Sequence, residues 1–554
     1  MAEMTGSEIL AKALKNEGTE NLFFVMGGPM IETEGFCVKE GIRPIDVRHE
    51  QAAAMMGNAW SRLTGRPSVC MAASGPGVIN LCTGVANAFI DCAPMVICGG
   101  ASSVATFGRG SFQDIDQVAI MAPMTKHAER VYKLARIPEQ VHNAFALAMA
   151  GKPGPVYLDF PGDLLHESID DAKIDWSKSG RPWLNQRPLA DPAKVAELAA
   201  ALLKAEKPII LSGSGVIWSR AWDELAELVE GAGIPFYTTP QGRGVLPDDH
   251  EYSWLTMRST AFREADLIIV VGTRMNYIVG HAAPPRFNAD ATIARIDIDA
   301  ADIASAPRHV DIGLVGDCKA VLRQLIDALG GPKGGGTDPA RYAAWRGTLA
   351  EGAAEKRRKP GSNQPPEGDP IHPLQLCDAV KNFMQRDAIL VVDGQEILNY
   401  SRQWIPTFEP GHRLNSGPFG TMGVGLPFGL GAKLAKPDKQ VIVLHGDGSM
   451  GLNAMELDTA VRHGIPVLVV ISLNGGWTAD PDGVKAGRDL GYTKYEKIAE
   501  ALGCHGEYVE RVEDIAPALE RAQAQVDRGR VALVNVKTDF RARAQTVRFA
   551  SYAT

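Results

Sequence analysis

Two oxygen-bearing side chains, Asp447 and Asn474, stand where a hard cation would need them. Asp447 lies in Gly446-Asp447-Gly448-Ser449, directly after the strand-like run 440–445. Asn474 closes the apolar run from Val467 and precedes Gly475-Gly476. A divalent cation such as Mg²⁺ takes oxygen ligands in an octahedron and is commonly held by one or two protein side chains plus the phosphates of its ligand. The spacing predicts strand, loop, helix, strand and second loop. Both loops then fall at the carboxyl ends of buried parallel strands, where open α/β sheets bind ligands. Glycines beside Asp447 would let backbone amides approach a diphosphate. A further carboxylate, Glu50, follows the strand-like run Ile42 to Val47 and opens the helix-like segment Gln51 to Met56, where a helix dipole also favours an acid. Two glycine-rich loops complete the set, Ser74-Gly75-Pro76-Gly77-Val78-Ile79-Asn80 and Ser416 to Gly425.

These four segments, in this order, resemble the motifs of thiamine-diphosphate enzymes. The resemblance spans nearly the whole chain, and its motifs are specific when taken together. It implies metal binding by Asp447, Asn474 and the backbone oxygen of Gly476. Glu50, in Val47-Arg48-His49-Glu50-Gln51-Ala52-Ala53, would be the acid that exchanges a proton with N1′ of the cofactor's aminopyrimidine. Met422 would wedge between the two cofactor rings, and the Gly420 carbonyl would accept from the 4′-amino group. Gln395, Gly446, Gly448 and Ser449 join the expected cofactor-binding residues.

The segments Gly27-Gly28-Pro29, "VRHEQAA" and "MGVG" look most like the 2-hydroxyacyl-CoA lyase and oxalyl-CoA decarboxylase branch, with benzaldehyde lyase and acetolactate synthase as neighbours. Oxalyl-CoA decarboxylases carry two active-site tyrosines, where this chain has Phe112 and Thr478. The missing phenols favour carbon–carbon lyase chemistry, unless Phe112 and Trp477 are simply core aromatics. The resemblance implies cleavage of a 2-hydroxyacyl-CoA into formyl-CoA and an aldehyde or ketone, reversible as a condensation. Gln113, Glu396 and Glu496 are candidates to shape or assist removal of the 2-hydroxyl proton. Arg258, Arg402, Asn399 and Arg548 are expected at coenzyme A, since a planar guanidinium binds phosphate oxygens bidentately. Asn399 and Ser401 are weaker companions of the arginines. Arg274, Asp297, Ile298 and Asp317 mark a second expected site, for ADP, because a carboxylate after a strand can bind ribose hydroxyls. The alternatives are an oxalyl-CoA decarboxylase, a carboligase acting without coenzyme A, like benzaldehyde lyase or acetolactate synthase, or a non-enzymatic nucleotide-binding relative. The last would be expected to lack Glu50 or Asp447.

Composition agrees with a soluble enzyme. The chain has 554 residues, too many for one core, with 45% hydrophobic and 22% charged side chains. A net charge of −8 gives no reason to expect nucleic acid or an anionic membrane as partner. Eight scattered cysteines without metal-type spacing read as reduced, mostly buried thiols. The polar start Met1 to Glu8 lacks signal-peptide features, and no run approaches membrane-spanning length. A cytoplasmic location is expected.

Short apolar runs alternating with longer helix-period segments predict an α/β chain of three doubly wound parallel-sheet domains. They are expected over 1–166 (pyrimidine-binding), 192–330 (central) and 370–540 (diphosphate-binding), with a tail, 541–554, as a candidate lid in which Arg548 and Phe549 touch substrate. Glu167 to Asp191 and Gly330 to Pro370 read as linkers, the second containing Gly-Gly-Gly at 334–336 and the basic run Lys356 to Lys359. The family resemblance implies a homodimer or homotetramer, with the cofactor between the first domain of one subunit and the third of another.

Overall fold

In the computed structural model, residues 3–183, 186–331, 338–358 and 364–544 are described. Three parallel sheets account for the predicted domains. The first runs in spatial order Arg43–Asp46, Asn21–Phe24, Ser68–Ala72, Met95–Ala101, Pro155–Pro161, His127–Arg130. The second runs Phe236–Thr238, Pro208–Ser212, Leu267–Val271, Thr292–Asp297, Ile312–Val315. The third has six strands, among them Ile389–Asp393, Val441–Gly446, Leu468–Leu473, Ala532–Lys537 and His505–Val509 in that order. Strands buried on both faces read as near-continuous apolar runs, and Leu267–Val271 and Leu468–Leu473 are buried throughout.

By compactness the chain divides into two units. One comprises Met1–Asn185, Ile389–Ile397 and Leu414–Phe540, and so holds the first sheet and most of the third. Within it, helix Gly425–Ala435 packs against helix Glu50–Thr64. The other comprises Gln186–Ala388, Leu398–Arg413 and Arg541–Thr554, and is built around the second sheet. Its two faces carry separate apolar clusters, one around Leu225, Val229 and Leu322, the other around Phe262, Phe287 and Trp345.

Both expected linkers contain structure. Ser168–Asp170 is a strand paired antiparallel with Glu3–Thr5, so the end of the first block ties down the chain's start. Ala343–Arg358 is a helix, not a linker, and it buries Trp345, Leu349 and Ala353. Those three residues, each four positions from the next, line one stripe against the second sheet's core. The charges and glycines around them masked that stripe in the sequence. Lys356, Arg357 and Arg358 then occupy the last turn, where cations complement the helix dipole, and Lys356 Nζ also donates to the Thr256 carbonyl at 2.6 Å. Lys359 and the glycines at 334–336 lie outside the described residues. All eight cysteines are free, and six are buried.

Candidate active site

The loops that carry Asp447 and Asn474 follow neighbouring strands of the third sheet. Val441–Gly446 and Leu468–Leu473 pair in parallel with Gly446 beside Ser472, which brings Asp447 and Asn474 to the same carboxyl end of the sheet's central strands. Asp447 is buried, and its carboxylate receives three backbone amides. Gly448 donates to Oδ1 at 2.8 Å, while Gly475 and Gly476 donate to Oδ2 at 2.7 and 3.0 Å. Burial pushes the carboxyl up to about 6, against the pull of these amides. A side chain at Gly448 would collide with the Trp477 ring, so glycine is needed there for the two loops to meet. Arg488 donates to the Asn474 carbonyl at 2.7 Å and the Gly475 carbonyl at 3.1 Å, and Tyr495 donates its hydroxyl to the Asp447 carbonyl at 2.9 Å.

This donor set fits a hard divalent cation. It offers a buried carboxylate, an amide oxygen and a backbone carbonyl, all oxygen, and a cation there would offset the cost of burying Asp447. Ser449 hydrogen-bonds to the Gly446 carbonyl at 2.9 Å, and Gly394, next to Gln395, lies against Gly446. Gln395 therefore follows the adjacent strand end.

The second group of residues gathers around Glu50. This residue starts helix Glu50–Thr64, capped by His49, whose Nδ1 accepts from the Gln51 amide. Asn80 Nδ2 donates to Glu50 Oε2 at 2.9 Å, so the last residue of the SGPG loop reaches the acid. Gln113 joins the same loop. Ser74 Oγ donates to Gln113 Oε1 at 2.8 Å, and Gly75, at φ 61°, leaves no room for a β-carbon against the Gln113 backbone. Gln113 itself adopts φ 59°, a left-handed conformation that a non-glycine residue holds only when its surroundings over-determine it. Those surroundings include Gln117, whose buried amide accepts from Gly75 N and donates to Asp159 Oδ1 at 2.7 Å.

The third loop is organised by a residue the spacing did not mark. Asp393, at the end of Ile389–Asp393, is buried and takes amide hydrogen bonds from Gly394 at 2.8 Å and Gly425 at 2.9 Å, with Gly423 and Val424 also donating. Burial raises it to about 6. Met422 is thus carried on a loop gathered at a single carboxylate. Gly420 is exposed with open space around it. Asp393 had a usable signal, an acid closing an apolar strand before a glycine. Glu456, which binds the backbone ahead of Glu50, had none.

The remaining expected residues separate by place. Glu396 Oε1 is 3.5 Å from the Ala479 amide, beside Thr478. Glu496 is buried and accepts from Asn535 Nδ2 at 2.8 Å, which turns it toward strand Ala532–Lys537. Phe112 is 86% exposed, so it is no core aromatic; Trp477 is half-buried over Gly448.

In the second unit, Arg258 is part of an unusually cationic cluster. Its Nε and Nη2 atoms are enclosed and have no hydrogen-bond partner among the described residues. Burial and the positive charges of Arg286, Arg243 and Arg402 lower it to about 10. The enclosed Tyr237 hydroxyl also lacks a hydrogen-bond partner among the described residues. Arg243 is paired with Asp248 and donates to the Arg402 carbonyl at 3.0 Å; Asn399 and Ser401 share the helix of Arg402. For the expected ADP site, Gly316 N donates to the Asp297 carbonyl at 2.9 Å, which joins two strand ends. Asp297, however, is bound to Arg295 at 2.9 Å and Asp317 to Arg187 at 2.9 Å, and Arg274 lies 3.9 Å from Asp302. Ile298 directly follows strand Thr292–Asp297. Arg548 and Phe549 lie outside the described residues.

Asp447 and Asn474 at neighbouring strand ends, Glu50 at a helix start and the Met422 loop make an arrangement suited to a bound cofactor. Comparison with known proteins gives its family. The chain matches the N-terminal thiamine pyrophosphate binding domain over residues 4–120, the thiamine pyrophosphate enzyme central domain over 195–325 and the C-terminal binding domain over 398–536. It belongs to the thiamine pyrophosphate enzyme family and is a thiamine-diphosphate-dependent carbon–carbon lyase in class. A probable acetolactate synthase of Mycobacterium bovis is 34% identical over 97% of this chain and 96% of its own length. A 2-hydroxyacyl-CoA lyase of Arabidopsis thaliana is 31% identical over 96% and 95%, and an oxalyl-CoA decarboxylase of Escherichia coli 30% over 93% and 92%. Among the described residues no helix is long and apolar enough to cross a membrane.

Proposed function

We propose that the enzyme cleaves a 2-hydroxyacyl-CoA into formyl-CoA and an aldehyde or ketone, and can run the same step as a condensation. Identity alone does not choose among the relatives, whose names cover a synthase, lyases and a decarboxylase. The observation that carries the choice is Arg258. A buried guanidinium with unpartnered donors is costly unless an anion completes it, and the phosphates of coenzyme A are such anions. Phe112 and Thr478, where a decarboxylase would have phenols, support cleavage over decarboxylation.

Bound thiamine diphosphate would supply a nucleophilic carbon that stabilises charge beside a carbonyl. Asp447, Asn474 and the Gly476 carbonyl would hold Mg²⁺, and Gln395, Gly446, Gly448 and Ser449 would line the diphosphate. Asn80 occupies Glu50 Oε2, which leaves Oε1 to carry the proton exchanged with the aminopyrimidine. Gln113, fixed by Ser74, would offer its amide beside the same glycine-rich loop that reaches Glu50 through Asn80. Glu396 and Glu496 remain the other candidates for the 2-hydroxyl proton, and the hold of Asn535 on Glu496 favours Glu396. Arg258, Arg402 and Asn399 would receive the substrate's phosphates, with Arg548 from the tail, 541–554, acting as lid.

The functional divisions 1–166, 192–330 and 370–540 are part of this reading, as are a cytoplasmic location and a homodimer or homotetramer. Exposed Phe419, Leu452 and Met455 near the cofactor loops support a covering subunit. ADP at Arg274, Asp297, Ile298 and Asp317 rests on the sequence resemblance and on the adjoining strand ends.

The test is incubation of the purified protein with thiamine diphosphate, Mg²⁺ and a panel of acyl-CoAs, followed by mass spectrometry. Formyl-CoA with a carbonyl product from a 2-hydroxyacyl-CoA is expected. Formyl-CoA with CO₂ from oxalyl-CoA alone, or turnover only of substrates without coenzyme A, would refute the proposal.

A further inference from the structure

Glu456 opens helix Glu456–Arg462 and is 1% exposed. Its carboxylate reaches the backbone just ahead of Glu50. The Arg48 amide lies 3.1 Å from Oε1 and 3.3 Å from Oε2, the His49 amide donates as well, and Thr459 Oγ1 donates to Oε2 at 2.6 Å. On the other side of Glu50, Gln51 Nε2 donates to Asn453 Oδ1 at 3.0 Å, and Asn453 Nδ2 donates to the Gly423 carbonyl at 2.7 Å. The residues flanking Glu50 are therefore fastened to one short stretch, 453–459, which also grips the loop behind Met422.

We propose that Glu456 is a positioning residue for Glu50, fixing the Arg48–His49 turn so that the acid leaves its helix start in a single orientation. The proposal rests on the reading that Glu50 moves the cofactor's proton. A carboxylate suits the task because two convergent amide donors need an acceptor-only group with two oxygens. An amide side chain would aim an N–H₂ at one of them. The surface pairs nearby, Arg48 with Asp458 at 3.3 Å and Arg462 with Asp46, tie down side chains and leave the turn's amides to Glu456.

The test compares full-length Glu456→Gln, Glu50→Gln and Asp458→Asn with the parent, loaded with thiamine diphosphate and Mg²⁺. Amide hydrogen exchange over residues 47–52 is followed in the cofactor-free proteins as well. Glu456→Gln is expected to speed exchange at Arg48 and His49 at least about tenfold. It should lower kcat by about tenfold to a hundredfold with KM within about twofold, the scale on which small misplacements act. Asp458→Asn should leave both at the parent's values. If Glu50→Gln turns over normally, the reading of Glu50 fails. If Glu50→Gln is inactive while Glu456→Gln keeps the parent's exchange and kcat per folded molecule, the positioning role fails and that reading stands. Should Glu456→Gln not fold, Thr459→Val removes only the orienting hydroxyl. The same split is expected at about twofold to tenfold, and its absence overturns the proposal.

Discussion

Asp447 and Arg258 are both enclosed charges, yet their surroundings treat them in opposite ways. Asp447 is met by three backbone amides and held between two loops. Arg258 feels the positive charge of other arginines, and two of its nitrogens have no hydrogen-bond partner among the described residues. Amides and loops at the ends of packed central strands are fixed by the fold, so the first site is preorganised before anything binds. The second stays electrostatically incomplete, as a site does when its counter-charge arrives with the ligand. Glu34 is an intermediate case, a buried carboxylate with a Gly27 amide to one side and its Oε1 without a hydrogen-bond partner among the described residues.

The comparison breaks most plainly at Asp447. Asp447→Ala should abolish metal-dependent binding of thiamine diphosphate, measured by quenching of Trp477 fluorescence. It should also cut turnover by more than about a hundredfold, since even an outer-shell partner of a metal ligand is worth about 10- to 100-fold. Retained metal-dependent binding would show that the amide-bound carboxylate is only structural.

At the other site the signs should oppose. Arg258→Gln is expected to raise KM for the thioester about 10- to 100-fold, as for a lost charge-assisted hydrogen bond. The same change should leave cofactor affinity alone and raise the Tm of the ligand-free protein, because it removes an unpaired buried charge. A lowered Tm with unchanged KM would mean that Arg258 is a packing residue.

Leu349→Ala separates the cluster from its scaffold. Leu349 is fully buried in helix Ala343–Arg358, and its truncation should cost about 2–5 kcal/mol in chemical denaturation. Thiamine diphosphate binding should survive in folded protein, and a loss confined to that binding would contradict the separation.

The smallest effect concerns Glu34. Burial raises it from 4.5 to about 7, so the folded chain keeps a proton that the unfolded chain has released between those values. The group's contribution to stability therefore falls as pH rises through that window. Glu34→Gln should be neutral near pH 4.5 and stabilising by about 1–2 kcal/mol above pH 7, after allowing for nearby solvent. Equal effects at both ends of a pH series of thermal melts would exclude this cause.

The strands at 440–445, 467–473, Ser68 to Ala73 and Pro208 to Ser212 were legible because strands buried on both faces must be apolar without a break. The cofactor loops were legible because glycine, aspartate and asparagine at strand ends have few other reasons to recur in order. Helix Ala343–Arg358 was not, since its buried face amounts to Trp345, Leu349 and Ala353 among charged and small residues. The pairing of Glu3–Thr5 with Ser168–Asp170 was hidden too, because three-residue strands carry almost no periodicity.

By itself, then, the sequence determined the parallel α/β architecture, the four cofactor motifs and the family they belong to, all of which rest on local patterns and short spacings. Tertiary structure alone decided that Asp393 gathers the Met422 loop, that Glu456 and Asn453 bracket Glu50, that Gln113 is held left-handed by Ser74, and that Phe112 faces solvent. Those facts depend on contacts between separate segments, from some tens of residues apart, as Asp393 with Gly425, to several hundred, as Arg48 with Glu456. A hydrogen bond across such a distance leaves no mark on the local order of residue types.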